Sequence, residues 1–305
     1  MNWQGINLNS DSTKQFPTEH RESSDYYFTG GKWSDWDRVN LEQITALVNY
    51  GYNQRLWVCV PTAYSDKAIS RFCEEVLNRC DNPIFEYSNE VWNNQFKQHA
   101  YAQVNARPKT EYEGWFNVAH FVAQKTKLIK SVVGSRGDVV VASQFYNRDY
   151  TKAIVKFVSD SDIDALAVAP YIGRNMSAIG KATPMQLGNE IGDTVAPLVR
   201  ECASLAHGAN MQLWGYEGGL HIEVKGKVNR DQRVRDLGEF NRSQDAADVT
   251  LKLWDTWIEN GGGLFCPYSL TSGYGAKCFG HCEVVGNQIE VRPKYNAIVE
   301  AVSKL

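Results

Sequence analysis

Pro83-Ile84-Phe85-Glu86-Tyr87-Ser88-Asn89-Glu90-Val91-Trp92-Asn93 is the stretch on which the reading of this chain turns. Its first part, residues 83–88, is a short, nearly continuous apolar run, which predicts a strand buried on both faces. Its second part gathers amide and carboxylate side chains where such a strand should end. Working outward, residues 55–61, 138–145, 164–171, 211–216 and 263–269 read as strands of the same kind, with longer amphipathic segments between them. That alternation predicts β/α units around a parallel sheet. Ser65 is placed to cap a helix over 66–79, and Gly134 to close a longer one over 112–133, where Trp115, Val118, Val122, Ile129 and Val133 share one stripe. Gly208 ends a helix that begins near Leu187, and Pro293 sits where the last helix starts.

Residues 1–54 read differently, with a short segment at 1–5, a polar and aromatic stretch over 7–36, and a helix over 40–50. A loop of that length inside a compact domain is either functional or disordered. No linker, low-complexity tract or repeat marks a boundary, so a single domain over 1–305 is expected.

Composition narrows the function. A chain of 305 residues that is 43% hydrophobic and 22% charged is neither disordered nor fibrous. Its 32 basic and 35 acidic side chains leave a formal charge of −3, with no basic surplus for gripping phosphates, so nucleic acid is not an expected partner. The apolar runs fall far short of the roughly 20 residues of a membrane helix, and the first ten residues lack the basic and apolar regions of an export signal. The expectation is a chain that neither spans a membrane nor carries its own export signal. Seven cysteines leave at least one without an internal partner. Cys278, His281 and Cys282 suggest a metal clip, but no second matched pair follows, and a local disulfide or free thiols are the alternatives. No metal and no organic cofactor is expected. Nine Trp and fifteen Tyr exceed the usual needs of a core; flat rings with polar edges suit sugar faces, although core packing explains most of them.

The chemistry lies in two carboxylates. Parallel barrels place their chemistry at the C-terminal ends of the strands. An Asn immediately before a Glu there suits glycosidic bond cleavage, in which the carboxylic acid protonates the glycosidic oxygen while the amide bonds the sugar 2-hydroxyl. Trp92 would supply an aromatic wall. The alternative is a helix N-terminus, with Asn89 as cap and Glu90 facing the helix dipole. The second carboxylate is in Leu213-Trp214-Gly215-Tyr216-Glu217-Gly218-Gly219, where Glu217 ends another strand and Gly218 and Gly219 would let a ligand approach the backbone. Two such groups, one donating a proton and one attacking the anomeric carbon, equip a retaining glycoside hydrolase. Glu86 alternates with Ser88 and Glu90, so it should point inward and need a cationic partner or a raised pKa.

With these motifs the chain resembles the clan A glycoside hydrolases, whose pattern puts Asn-Glu after strand four and the nucleophilic Glu after strand seven. If 83–88 is the fourth strand, 211–216 is the seventh, and the count lands on Glu217. More narrowly, Glu-Tyr-Ser-Asn-Glu-Val-Trp-Asn over residues 86–93 resembles bacterial barrels often described only as cellulose-binding proteins or glycoside hydrolases. The resemblance implies an α/β, (β/α)8 TIM barrel, with Glu90 as acid/base, Asn89 as 2-hydroxyl ligand and Glu217 as nucleophile. It also implies substrate-binding places for Tyr171, which would bond the nucleophile, for Trp3, Trp33, Trp36 and Arg38 near the second strand, and for Tyr268 after the eighth; a structural tyrosine is the alternative at 171. His221 would be a rim residue.

Counting backwards leaves no sequence for a first strand, so the barrel is expected to lack its first β/α unit. Either residues 7–36 fold across the gap or a homodimer covers the open edge. The expected function is retaining, endo-type hydrolysis of a β-linked polysaccharide; such hydrolases usually work outside the cell, but this chain shows no export signal, and the sequence leaves export of a parent protein open. A carbohydrate-binding barrel without turnover is the alternative. A barrel acting on phosphorylated metabolites ranks last, because no glycine-rich phosphate cradle follows the seventh or eighth strand.

Overall fold

The structure, a computed structural model, describes residues 2–3, 41–51, 54–106, 114–176, 184–283 and 292–303. The predicted roles of residues 7–36 and of a homodimer at the barrel edge lie outside these residues. The chain divides into two compact units, one of residues 1–168 with 205–212 and one of 169–204 with 213–305.

In the first unit five parallel strands stand in chain order: β1 (Asn2–Trp3), β2 (Trp57–Val60), β3 (Ile84–Tyr87), β4 (Asp138–Ala142) and β5 (Ala165–Val168). Register runs from Asn2 opposite Trp57, through Trp57 opposite Ile84 and Ile84 opposite Asp138, to Val140 opposite Ala165. Every residue of β2, β3 and β5 is buried, as parallel strands covered on both faces require. The connections are helices: α1 (Leu41–Tyr50), α2 (Asp66–Leu77), α3 (Lys97–Ala106), α4 (Trp115–Val133) and α5 (Arg148–Val158). Ser65 caps α2 as its sequence suggests, its hydroxyl accepting from Ala68 N at 3.2 Å, and Gly134 N closes α4 onto Lys130 O at 2.9 Å. Asp164 locks helix to sheet, since its Oδ2 accepts from Lys130 Nζ and from Val139 N, both at 2.7 Å.

The predicted strand over 164–171 is cut in two. Pro170 has no N–H to give to a ladder, so β5 stops at Val168 and β6 (Tyr171–Ile172) begins after it. β7 (Gln212–Gly215) leads to β8 (Gly219–Leu220), which pairs in parallel with β6 through Tyr171 opposite Gly219. The expected strand over 263–269 is reduced to a single bridge between Gly215 and Phe265. Its backbone follows β7 for a few bonds, Gly263 N to Leu213 O and Cys266 N to Gly215 O, and then Tyr268 N turns to Gly218 O. Helices α6 (Pro184–Glu190) and α7 (Ala196–Gly208) are joined by one π-helical turn at Ile191–Val195, followed by α8 (Arg230–Asn241), α9 (Gln244–Glu259) and α10 (Pro293–Ser303).

All seven cysteines are thiols; six are buried and Cys266 is half-buried. Cys278 and Cys282 flank Lys294, which is 1% exposed; its ammonium donates to Asn241 Oδ1 and Cys278 O, both at 2.8 Å, and lies 4.7 Å from the Tyr274 ring centre. A buried ammonium is a poor neighbour for a metal dication, and among the described residues no three metal-ligating side chains gather. No described helix is long and apolar enough to cross a membrane.

Candidate active site

The end of β3 is built around a sharp change of backbone direction. Ser88 takes φ 61° and Glu90 φ 46°, left-handed conformations that side-chain-bearing residues rarely adopt. Such conformations persist only where the surroundings over-determine them. Ser88 N donates to Val60 O at 2.8 Å, its hydroxyl bonds that of Thr62, and the Tyr87 hydroxyl donates to Thr62 O at 2.8 Å. From the other side, Gln98 of α3 donates to Asn89 O at 2.8 Å, and Asn93 N donates to Glu90 O at 2.9 Å. The helix-cap alternative for Asn89 and Glu90 fails, because α3 starts only at Lys97. Asn89 is 5% exposed, and its Oδ1 is buried with no hydrogen-bond partner among the described residues. The Glu90 side chain is half-buried and accepts from Asn93 Nδ2 at 3.1 Å. Trp92 is half-buried beside it, with its indole N–H buried and likewise unpartnered among the described residues.

Glu86 lies within the strand that leads to this turn and is 1% exposed. Its Oε2 accepts from Trp57 Nε1 at 2.9 Å and lies 3.9 Å from the Cys59 thiol, while Oε1 has no partner among the described residues. Burial pushes this carboxyl up to about 8, against the Trp57 hydrogen bond and with a further push from the charge of Glu90. Among the described residues no cation pairs with this inward carboxyl, and burial raises its pKa instead.

In the second unit Glu217 follows β7 and is 8% exposed. The glycines around it are dictated by packing. A Cβ at Gly215 would stand 2.4 Å from Phe265 Cδ2, and one at Gly218 would stand 2.7 Å from Phe265 Cζ and 3.1 Å from Pro170 Cδ. Gly218 therefore makes room for the Phe265 ring, not for a ligand. Gly219, at φ 126°, brings the chain into the pairing with Tyr171. The Tyr171 ring meets His221 edge-on at 5.1 Å, Phe279 at 6.2 Å and Tyr268 at 6.5 Å. Tyr268 is 42% exposed, and the Tyr268–Ser269 peptide is cis. Lys277 sits over Phe279 and pairs with Glu223 at 3.0 Å. Burial, and then the Arg174 charge, hold the His221 imidazole below its ordinary range.

Asn89, Glu90 and Trp92 thus belong to the first unit, and Glu217, Tyr171 and Tyr268 to the second. Trp3 stands in β1 opposite Val58. Trp33, Trp36 and Arg38 lie outside the described residues. Sequence reasoning missed a cavity of about 470 Å3 in the first unit, lined among others by Trp92, Asn93, Trp115, Gln144, Asn147 and Tyr150. Gln144 and Asn147 follow β4, so the amides that trail a strand were its one legible signal.

Two solved structures have the same course of chain. The α-L-arabinofuranosidase from Thermotoga maritima, in complex with arabinose, superposes with a TM-score of 0.56 at 12% identity over 97% of this chain and 59% of its own. The broad-specificity endoglucanase of the GH5-4 group from Clostridium acetobutylicum gives 0.51 at 12% identity over 88% and 81%. The fold shared with them is the α/β, (β/α)8 TIM barrel. The chain spans about 59% of the length of the arabinofuranosidase. No protein-family model matches the sequence, and no curated protein does.

Proposed function

We propose that this chain is a retaining, endo-type glycoside hydrolase of β-linked polysaccharides. The observation that carries the reading is the turn after β3, where two left-handed residues flank Asn89, whose amide oxygen has no partner among the described residues, next to the half-buried Glu90. Strain of that kind collects at functional sites. In the proposed reaction Glu90 protonates the glycosidic oxygen while Glu217 attacks the anomeric carbon, giving a glycosyl ester on Glu217 and a free leaving-group hydroxyl. Glu90, now a carboxylate, takes a proton from water, which displaces Glu217 and restores both groups. Asn89 bonds the 2-hydroxyl, and Trp92, Tyr171 and Tyr268, with Trp3, Trp36 and Arg38, serve substrate binding. The fold shared with the two glycosidases supports the class of reaction.

A second reading, a carbohydrate-binding barrel without turnover, is favoured by the burial of Glu217, which leaves it 8% exposed. Incubation with xylan, β-glucan, mannan and galactan separates the two. The hydrolase releases oligosaccharides whose first-formed anomer, followed by proton NMR, is β. Glu217→Ala serves as the blank. Binding without release of reducing ends selects the second reading, and an initial α anomer removes the retaining mechanism.

A further inference from the structure

The cavity beside Glu90 has walls of a particular chemistry. Among the described residues its lining contains no carboxylate, guanidinium or ammonium; it does include the His99 imidazole, whose Nδ1 lies 2.9 Å from Val91 O. Gln144 offers an amide, which donates and accepts at the same position as hydroxyl groups do, whereas the Asn93 amide is engaged with Glu90 and Gln95 N, and Asn147 Oδ1 accepts from Tyr150 N at 3.0 Å. The Tyr150 side chain is 2% exposed, yet its hydroxyl has no hydrogen-bond partner among the described residues, and neither has the Trp92 indole N–H on the same cavity. A buried donor left unsatisfied costs about 1–3 kcal/mol, so both groups call for an acceptor that the described residues do not supply. Trp115, stacked on Phe116 at 3.9 Å and 5.8 Å from the Tyr150 ring, supplies a flat apolar wall. The volume of about 470 Å3 falls in the range of roughly 300–1,000 Å3 usual for small-molecule sites. Asn93 joins the cavity to the turn, because the same side chain lines it and donates to Glu90 at 3.1 Å.

We infer that this cavity is a binding site for an uncharged sugar unit, held by the Tyr150 hydroxyl, the Trp92 N–H and the Gln144 amide against the Trp115 ring. Walls without an ammonium or guanidinium among the described residues discriminate against sugar acids and sugar phosphates, whose charge would be desolvated without a strong partner. That the bound unit belongs to the chain cleaved at Glu90 rests on the hydrolase reading; the binding itself does not.

The test titrates xylotetraose, cellotetraose, mannotetraose and β-1,4-galactotetraose into the full chain carrying Glu217→Ala, with tetragalacturonate as the charged counterpart, by calorimetry and tryptophan fluorescence. At least one neutral tetrasaccharide should bind, and Tyr150→Phe and Gln144→Ala added to that background should each weaken it about 5- to 10-fold, the loss of one hydrogen bond. Tyr150→Phe should leave the melting temperature unchanged or raised, since the hydroxyl it removes has no partner among the described residues. A purely structural Tyr150 would lose stability and affinity together. The inference is overturned if no neutral tetrasaccharide binds, if tetragalacturonate binds more tightly, or if neither variant moves the affinity. Reducing-end release by the unsubstituted chain is scored separately. Variant-sensitive binding without release would defeat the hydrolase reading alone, and release with unmoved affinity would defeat the cavity alone.

Discussion

Glu90 and Glu217 are assigned different work, and their removal should look different. In Glu217→Ala no nucleophile remains, so turnover should fall to background on every substrate. In Glu90→Ala aryl glycosides with good leaving groups should still be cleaved, because such groups need little protonation, and azide should partly restore the rate by taking the place of the activated water. Steady-state kinetics on an aryl glycoside and on a polysaccharide check both, and near wild-type rates for Glu217→Ala would sink the nucleophile assignment. Glu86 has a different signature. Its carboxyl keeps its proton in the fold up to about pH 8, whereas an exposed glutamate releases it near 4.5. Between those values the unfolded chain holds fewer protons than the folded one, so this group makes stability fall as pH rises, by up to about 1.4 kcal/mol per pH unit. Glu86→Gln keeps the acceptor for Trp57 Nε1 and removes the titration. Its melting temperature should therefore gain on the wild type steadily from pH 5 to pH 8, and a constant difference would refute the buried neutral acid.

At the scale of elements, α10 packs on α9, burying Pro293, Ala297 and Ala301, and Lys294 adds its polar tie. Lys294→Met keeps the stem length but leaves Asn241 Oδ1 and the Cys278 carbonyl without their donor. Urea denaturation should show a loss of about 1–3 kcal/mol, and an unchanged midpoint would mean that packing alone holds the helix. The elements also show what a sequence can and cannot say. Ser65, Gly134 and Pro293 mark helix ends by local chemistry, which needs no tertiary context, and the structure finds them in those places. α3 is hidden because polar side chains, Gln98 and His99, occupy its buried face and blur the apolar period. Trp115 falls on the apolar stripe of α4, yet it is half-buried and walls a cavity, a distinction periodicity cannot make. The strand over 263–269 fails because the Phe265 ring, seated against Gly215 and Gly218, sets the course of that segment. Asn89 and Glu90 were legible because their residue types carry the chemistry. Tyr150 was not, because only folding shows that its hydroxyl is buried without a partner among the described residues.

Over the whole molecule, the seven unbridged thiols are spread through both compact units, with Cys59, Cys73 and Cys80 in the first and Cys202, Cys266, Cys278 and Cys282 in the second. Only Cys266 is half-buried, so native protein mixed with excess maleimide should gain one adduct quickly and the rest slowly, as followed by intact mass. Several fast adducts would contradict the burial described above. The slow adducts require opening of the structure, at rates set by local or global unfolding. Burial pushes the Cys73 thiol far up and those of Cys80 and Cys278 up to about 11, which further suppresses attack while they remain enclosed. The protein therefore carries its own stopwatch: the order in which its cysteines acquire label, read by peptide mapping, times the opening of each unit without introducing a foreign probe.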